Sequence, residues 1–272
     1  MKKRISTVAA AVSMVLFGTA AHAQETQADV PYVERITVRG AFFGQQVADA
    51  VKTPTLLVDV PQSVSVISAE QISEQALFSV ADVMQYTPGV SIGLGEDHRD
   101  QITIRGQNTT ADFFVDGLRD DVQYFRPLYN LERVEILRGA NALLFGRGGG
   151  GGVVNRVTKV AEVNDDFTML SAGVDTFGAG SVSVDTNKVI DSENAFRFNG
   201  VFDSIDNHRD FKDGERYAVN PTYTWLASDD TTVRASYEYV NDDRVVDRGV
   251  PALGGEPLTG FDDTYFGDPD FN

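Results

Sequence analysis

The chain has 272 residues, of which 40 are acidic and 23 are basic, giving a net charge of −17, and it contains no cysteine. This excess of negative charge disfavours nucleic acid as a partner, because binding to phosphates depends on clustered lysine and arginine. The absence of cysteine excludes a small disulfide-stabilised secreted domain and a thiolate metal site. The length allows one or two domains.

Residues 1–23 predict a secretory signal peptide. Three basic residues at 2–4 precede an apolar stretch at 8–17, and the small-x-small sequence AHA follows at 21–23. Removing this segment takes away three basic residues and no acidic ones, so the mature chain has a net charge of −20. The apolar stretch is too short to span a bilayer as a helix. We therefore expect an exported protein whose only possible membrane span is a β-barrel.

Residues 24–52 predict a flexible polar arm. Within it, ERITV at 34–38 is a short run of strand-forming residues. On alternation alone, an ordinary strand of the domain that follows is the alternative, and the position of the run after a flexible arm disfavours it.

Residues 53–160 predict a compact mixed α/β domain. QSVSVIS at 62–68 alternates like a strand, and Ser68 with Gln71 has capping-box spacing. One helix is then predicted from the apolar spacing, and it ends at TPG; its apolar positions are Ile72, Ala76, Val80 and Val83. Short strands are predicted at 101–106, 112–117 and 134–139.

From about Phe167 onward, within residues 161–272, the apolar pattern has a period of two. The clearest segments are 195–205, 216–226 and 231–240, each apolar on one side and with aromatic residues among its apolar positions. This pattern is typical of a transmembrane β-barrel, although a soluble antiparallel sandwich also alternates. The export signal and the alternation of short and long connections favour the barrel. About five such strands cannot close a barrel, so we expect these residues to be its N-terminal part.

A run of five glycines at 148–152 raises the question of a nucleotide site. Gly146, Gly148 and Gly151 satisfy the dinucleotide spacing G-x-G-x-x-G, with Asp165 as the acidic partner. That motif must open a helix, whereas the VVNRVTKV that follows reads as a strand. The sequence also shows no set of nucleophile, base and orienting residue, so we expect no enzyme. The glycines instead predict a close backbone approach in which side chains would collide.

Several motifs between 51 and 253 together resemble one family. They are VKTPTLLVDVPQSVSVISAEQI, ADVMQYTPGVSI, ITIRG, FFVDGLRDDVQYFRPLYNLERVEILRGANALLFGRGGGGGVVNRVTK and DRGVPAL. The chain resembles the TonB-dependent outer-membrane receptors, in which an N-terminal plug sits inside a 22-stranded barrel. Its RDDVQYF and LFGRGGGGG segments look most like receptors for catecholate siderophores. Ala140 departs from the proline that the family usually has after this RG.

The resemblance implies a fold and a function. The fold is an α/β plug followed by the first strands of a transmembrane antiparallel barrel. The function is TonB-driven import of a ferric siderophore across the Gram-negative outer membrane by a monomer surrounded by lipid. Other ligands of the family, including hydroxamate siderophores, cobalamin and haem, remain alternatives, and so does a passive porin or adhesin. Because the arm is short, we expect import without the added N-terminal signalling domain that some relatives carry.

The resemblance also assigns residues. Glu34, Arg35, Ile36, Thr37 and Val38 match the TonB box, which pairs with TonB as an added strand. Arg105 and Arg138 match the plug arginines that pair with barrel glutamates; for Arg138, pairing with Glu132 or Glu135 inside the plug is the alternative.

The ligand is expected to meet three outward loops, at roughly 93–100, 107–110 and 118–127. Arginine suits an anionic tris-catecholate and aromatic rings suit its faces, although interleaved aspartates could pair with the same arginines. The expected ligand residues are His98, Arg99, Gln107, Arg119, Tyr124, Phe125 and Arg126. Replacing Arg119 and Arg126 together is expected to weaken chelate binding.

The three histidines, His22, His98 and His208, show no metal-ligand spacing. We expect no resident metal or other cofactor, because the iron would arrive already bound by its chelator.

Overall fold

The computed structural model of the chain describes residues 56–139, 145–146 and 149–269. The predicted signal peptide, the arm and the predicted TonB box at 34–38 lie outside these residues and stay predictions. Ala140 and Gly148 also lie outside them.

The N-terminal domain combines short helices with two small sheets. None of the helices in the described ranges is long and apolar enough to cross a membrane. In chain order the elements are β1 (Ser63–Ser68), α1 (Ala69–Glu74), α2 (Val80–Met84), β2 (Val90–Gly93), β3 (Gln101–Ile104), β4 (Gln107–Thr109), β5 (Phe113–Val115), β6 (Leu118–Arg119), β7 (Leu131–Arg138) and β8 (Gly152–Thr158).

The prediction of one continuous helix after β1 was wrong, because a second helix begins within that segment. The Ser68 hydroxyl accepts the Gln71 N–H at 3.2 Å, which confirms the start of α1. The backbone then turns left-handed at Ala76, with φ 49°. Ser79 and Asp82 form a reciprocal capping box that begins α2. A strong N-cap thus divides a segment that apolar spacing alone joins together.

The larger sheet of the N-terminal domain has the order β1-β7-β8-β5-β6, in which only the β5–β8 pair is parallel. The strands β2, β3 and β4 form a separate antiparallel sheet. The main core lies between these sheets and the two helices, and its fully buried members include Val80, Met84, Ile102, Phe113 and Val134. The domain therefore has an apolar core of its own.

The remainder of the chain forms a third sheet, which is antiparallel, has longer strands and is called the barrel sheet below. Its order is β13-β12-β11-β10-β9, and β14 also pairs with β12. The strands are β9 (Phe167–Val174), β10 (Gly180–Val189), β11 (Asn194–Ile205), β12 (Gly214–Ser228), β13 (Thr231–Ser236) and β14 (Tyr239–Arg244), followed by a short hairpin of β15 (Ala252–Leu253) and β16 (Glu256–Pro257).

The barrel sheet has the reverse of the usual polarity: its polar face is buried and its apolar face is exposed. On β11, Arg197 and Asn199 are buried, whereas Phe196, on the opposite face of the same strand, is exposed. On β12, buried Thr224 alternates with exposed Trp225. A soluble sandwich would bury the aromatic side. The reversal is the arrangement of a transmembrane barrel wall and confirms the prediction for this part of the chain.

The glycine run lies where two backbones approach each other closely. A Cβ on Gly151 would lie 2.0 Å from the carbonyl oxygen of Ile104, and one on Gly152 would lie 2.2 Å from that of Leu137. The Gly151 carbonyl accepts the Gly139 N–H at 2.8 Å. For these two glycines the predicted packing role is confirmed.

Replacement of Gly151 by alanine is therefore expected to destabilise the N-terminal domain by about 3 kcal/mol or more, because a backbone carbonyl must move. Gly150→Ala is the matched control, since a Cβ there would lie 3.9 Å from its nearest neighbour, Gln107. Thermal melting of the purified protein in detergent checks both variants. Equal melting temperatures for the two variants would contradict the packing role.

Candidate functional site

The side chain of Arg126 is the centre of a buried charged cluster between two loops of the N-terminal domain. Its Nε donates to Oδ2 of Asp120 at 2.9 Å, and its Nη1 donates to Oδ2 of Asp100 at 3.3 Å. Its Nη2 donates to the carbonyl oxygens of Val122 at 2.7 Å and Asp120 at 3.0 Å. The side chain is 0% exposed. The guanidinium of Arg126 is therefore hydrogen-bonded within the N-terminal domain's own loops.

A second arginine, Arg156 on β8, completes this cluster. Its Nη2 donates to Oδ2 of Asp120 at 2.6 Å and to the Tyr124 hydroxyl at 3.1 Å. Burial raises the pKa of Asp100, although Arg126 opposes the shift, and burial also raises the pKa of Tyr124. Two buried arginines thus face two aspartates, which balances the charge within the cluster.

Four of the predicted ligand residues lie near this cluster and are partly accessible. Tyr124 and Phe125 are half-buried. Arg99 donates to the Gln123 side chain and is 19% exposed. Arg119 donates to the Ala111 carbonyl at 2.9 Å and is 25% exposed. His98, in the neighbouring loop, is exposed.

Gln107 lies apart from these residues. The β3–β4 hairpin pairs Gln107 with Ile104, at the end of β3 away from Gln101. A Cβ on Gly151 would lie 3.1 Å from the Gln107 side chain, so Gln107 adjoins the glycine run. The structure does not bring it together with the other predicted ligand residues.

The sheet of β9–β14, its β11–β12 loop and the segment after β14 add charged residues that the sequence analysis missed. The Arg244 guanidinium lies 4.6 Å from the centroid of the Phe125 ring. Lys212 pairs with Asp97, which also accepts the backbone N–H of Asp247 at 2.8 Å. These partners are more than a hundred residues apart in the chain, so no local pattern could reveal them.

Arg105 and Arg138 lie beside each other at the C-terminal end of β3, the end away from the buried charged cluster. A Cβ on Gly139 would be 2.6 Å from Nη1 of Arg105, so this glycine leaves room for the guanidinium. Arg138 donates to the Pro88 carbonyl at 2.7 Å and to the Ser65 hydroxyl at 2.8 Å. Burial lowers the pKa of Arg138, and the charge of Arg105 lowers it further.

The alternative partners of Arg138 inside the N-terminal domain are not used. Glu135 accepts from Arg133 at 2.8 Å and from Asn155 at 3.2 Å instead. Across 56–139, 145–146 and 149–269, no carboxylate forms an ion pair with Arg105 or Arg138.

The chain leaves the N-terminal domain at a charged joint with the barrel sheet. Lys159 pairs with Asp185 on β10 at 2.9 Å and donates to the Tyr129 carbonyl at 3.0 Å. Arg197 on β11 binds both oxygens of Asp185, each at 2.8 Å. The polar face of the sheet therefore contacts the N-terminal domain directly.

No group of three or more histidine or acidic side chains that could hold a metal ion occurs in the part of the chain that the structure describes.

Comparison with known proteins identifies the N-terminal domain. Residues 57–153 match the family model "TonB-dependent Receptor Plug Domain". The α/β domain is thus a plug domain of the TonB-dependent receptor family. Strands β9–β14 are strands of the barrel that follows it.

Similar proteins include several receptors of this family. "Probable TonB-dependent receptor BfrD" of Bordetella pertussis is 34% identical over 93% of this chain, and the match covers 35% of that protein. The catecholate siderophore receptor Fiu of Escherichia coli K12 is 28% identical over 85% of the chain and 31% of that protein. This chain thus spans about a third of the length of these curated relatives.

Solved structures agree with this assignment. The siderophore receptor PiuA of Acinetobacter baumannii has a TM-score of 0.74 at 27% identity, covering 82% of this chain and 33% of that one. The open form of the ferric-catecholate import receptor Fiu of E. coli K12 has a TM-score of 0.70 at 28% identity, covering 77% and 31%.

Arg126→Ala is expected to destabilise the plug by about 3–5 kcal/mol, because it leaves the buried Asp100 carboxylate without its arginine. Arg248→Ala is the control, since this side chain is 74% exposed and its pairing with Glu96 contributes little. Thermal melting and limited proteolysis within 118–127 measure the difference. A variant as stable and protease-resistant as the control would contradict a structural role for Arg126.

Proposed function

We propose that the protein is an outer-membrane receptor that imports ferric siderophores of the catecholate type, with energy supplied through TonB. The observation that carries this proposal is a folded plug held against the polar face of a sheet whose other face is apolar and exposed. A wall of this kind suits lipid outside and a polar passage inside. The siderophore receptors among the relatives support the class of ligand.

We propose that the ligand contacts the outward loops of the plug. Arg99 and Arg119 offer partly exposed guanidinium groups, and Tyr124 and Phe125 offer aromatic rings beside them. An anionic ferric tris-catecholate with aromatic faces matches this chemistry. Arg126 is buried, so in this proposal it holds the loop that presents its neighbours. Gln107 would need a ligand that reaches the far end of β3–β4.

The proposal includes no enzymatic activity and no resident cofactor. The iron arrives coordinated by its chelator, so the receptor recognises the outside of the chelate. TonB is proposed to add the segment Glu34–Val38 as a strand, and backbone hydrogen bonds would then supply the affinity. The receptor is proposed to be a monomer.

Transport of a radiolabelled ferric tris-catecholate into cells that express the receptor tests this function. We expect uptake to stop when TonB is deleted or when residues 34–38 are removed, while binding to the cells persists. Uptake that continues without TonB would instead indicate a passive pore. Binding of a hydroxamate chelate, cobalamin or haem in place of the catecholate would reassign the ligand.

In the same assay, Arg119→Ala is expected to weaken chelate binding about tenfold, because a charged hydrogen bond is lost. Lys188→Gln is the matched control, since Lys188 is 71% exposed on the barrel sheet and pairs with Asp166. Replacing Arg119 and Arg126 together is less informative, because loss of the buried Arg126 also disturbs the loop. Unchanged affinity of the Arg119 variant would remove this residue from the site.

We further propose that Arg105 and Arg138 bind carboxylates of the barrel and so hold the plug in place. Two adjacent guanidinium groups repel each other, and carboxylate partners would relieve that repulsion.

The double variant Arg105→Gln, Arg138→Gln is expected to loosen the plug and admit a large antibiotic that the outer membrane normally excludes. The matched control is the double lysine variant, which keeps both charges. Antibiotic sensitivity of cells that express each variant is the measurement. Equal resistance of the glutamine and lysine variants would argue against the lock.

A further inference from the structure

Strand β12 contains a proline at the point where its pairing with the next strand is interrupted. Strand β13 ends at Ser236, paired with Thr222, and β14 begins at Tyr239, paired with Val219. Two residues lie between the paired positions on each strand, so the register is continuous across the gap. Pro221 thus lies opposite Tyr237.

The gap has a simple chemical cause. The Tyr237 N–H donates to the Pro221 carbonyl at 3.1 Å, as expected for a hydrogen-bonded antiparallel pair. The reciprocal bond, from residue 221 to the Tyr237 carbonyl, cannot form, because proline has no N–H. In a membrane-spanning wall, a missing backbone partner is costly, since no water replaces it in the hydrocarbon region.

The side chain of Asn220 supplies the missing donor. Its Nδ2 donates to the Tyr237 carbonyl at 2.8 Å and to the Ser236 hydroxyl at 3.0 Å. Asn220 is on the polar face of β12 and is 1% exposed. The Tyr237 carbonyl therefore accepts a hydrogen bond from the side-chain amide of Asn220, which faces the plug.

The plug contacts this amide on its other side. Nδ2 of Asn130 donates to Oδ1 of Asn220 at 3.4 Å and to Oε1 of Glu238 at 2.9 Å. The Tyr129 hydroxyl also donates to Oε1 of Glu238, at 3.4 Å. A donor at Oδ1 fixes which end of the Asn220 amide faces Tyr237.

We propose that Asn130 is a positioning residue that couples the seated plug to the barrel wall. With the plug in place, Asn130 orients Asn220, and Asn220 completes the pairing that Pro221 interrupts. When the plug moves, Asn220 loses this orientation, and the wall between β12 and β13–β14 loosens at Tyr237. The position of the plug is thereby communicated to the strand pairing of the wall.

A double-mutant cycle tests the role of Asn220. Pro221→Val restores the backbone N–H on an outward-facing position, so Asn220→Ala is expected to lower the melting temperature much less in the Pro221→Val background than in the parent. Equal losses in the two backgrounds would overturn the role of Asn220 as the substitute donor.

Hydrogen exchange of the Tyr237 amide, measured on the receptor in detergent, tests the coupling to the plug. Asn130→Ala is expected to speed this exchange about fivefold, the effect of one lost hydrogen bond, in the parent but not in the Pro221→Val background. Lys212→Ala is the control, because it removes the contact between Asp97 of the plug and the loop between β11 and β12, and Lys212 contacts neither Asn130 nor Asn220.

Unchanged exchange at Tyr237 in Asn130→Ala, or the same increase in Lys212→Ala, would overturn the coupling. The comparison of Asn130→Ala with Lys212→Ala requires only the parent background, so it decides the coupling even if the Pro221→Val variant fails to fold. Loss of siderophore uptake has no bearing on either result, because neither measurement involves a ligand.

Discussion

The plug is held by hydrogen bonds and ion pairs, because the barrel wall turns its polar face inward. Lys159 with Asp185, Lys212 with Asp97 and Asn130 with Glu238 each join the plug to a different part of the sheet or its loops. Apolar burial between plug and wall would be difficult to undo, whereas water can replace polar contacts when they open. The same reversal of polarity explains why the plug needs an apolar core of its own.

The buried charges of the plug serve a different purpose from those at its surface. Arg126 and Arg156 satisfy Asp100 and Asp120 inside the domain, where an unpaired charge would be very unfavourable. This cluster fixes residues 118–127, which carry Arg119 at the end of β6 and Tyr124 and Phe125 in the loop after it. A ligand that binds this loop therefore meets side chains whose backbone positions are already set, which limits the entropy lost on binding.

Local patterns in the sequence predicted much of the fold. The alternation in 195–226 predicted β11 and β12 and which of their faces is polar, because a strand repeats every two residues. The helix prediction failed at Ala76, where the capping box of Ser79 and Asp82 begins a new helix. The resemblance predicted which loops face a ligand, but the burial of Arg126 depends on aspartates 6 and 26 residues away. Spacing along the chain could not distinguish that pairing from an exposed surface.

The sequence by itself predicted the export signal, the resemblance to the plug family and the two-residue period of the barrel strands. Each of these depends on residues that are close together in the chain. The tertiary structure decided which side chains remain accessible and which residues meet across the two sheets. The glycine run at 148–152 illustrates both contributions. The strand-like sequence after it excluded a nucleotide loop, but only the approach of the Ile104 and Leu137 backbones shows why Gly151 and Gly152 lack side chains. The carbonyl oxygen of Ile104 is far from Gly151 in the chain but would lie 2.0 Å from a Cβ there. Folding creates this contact, and no local sequence pattern encodes it.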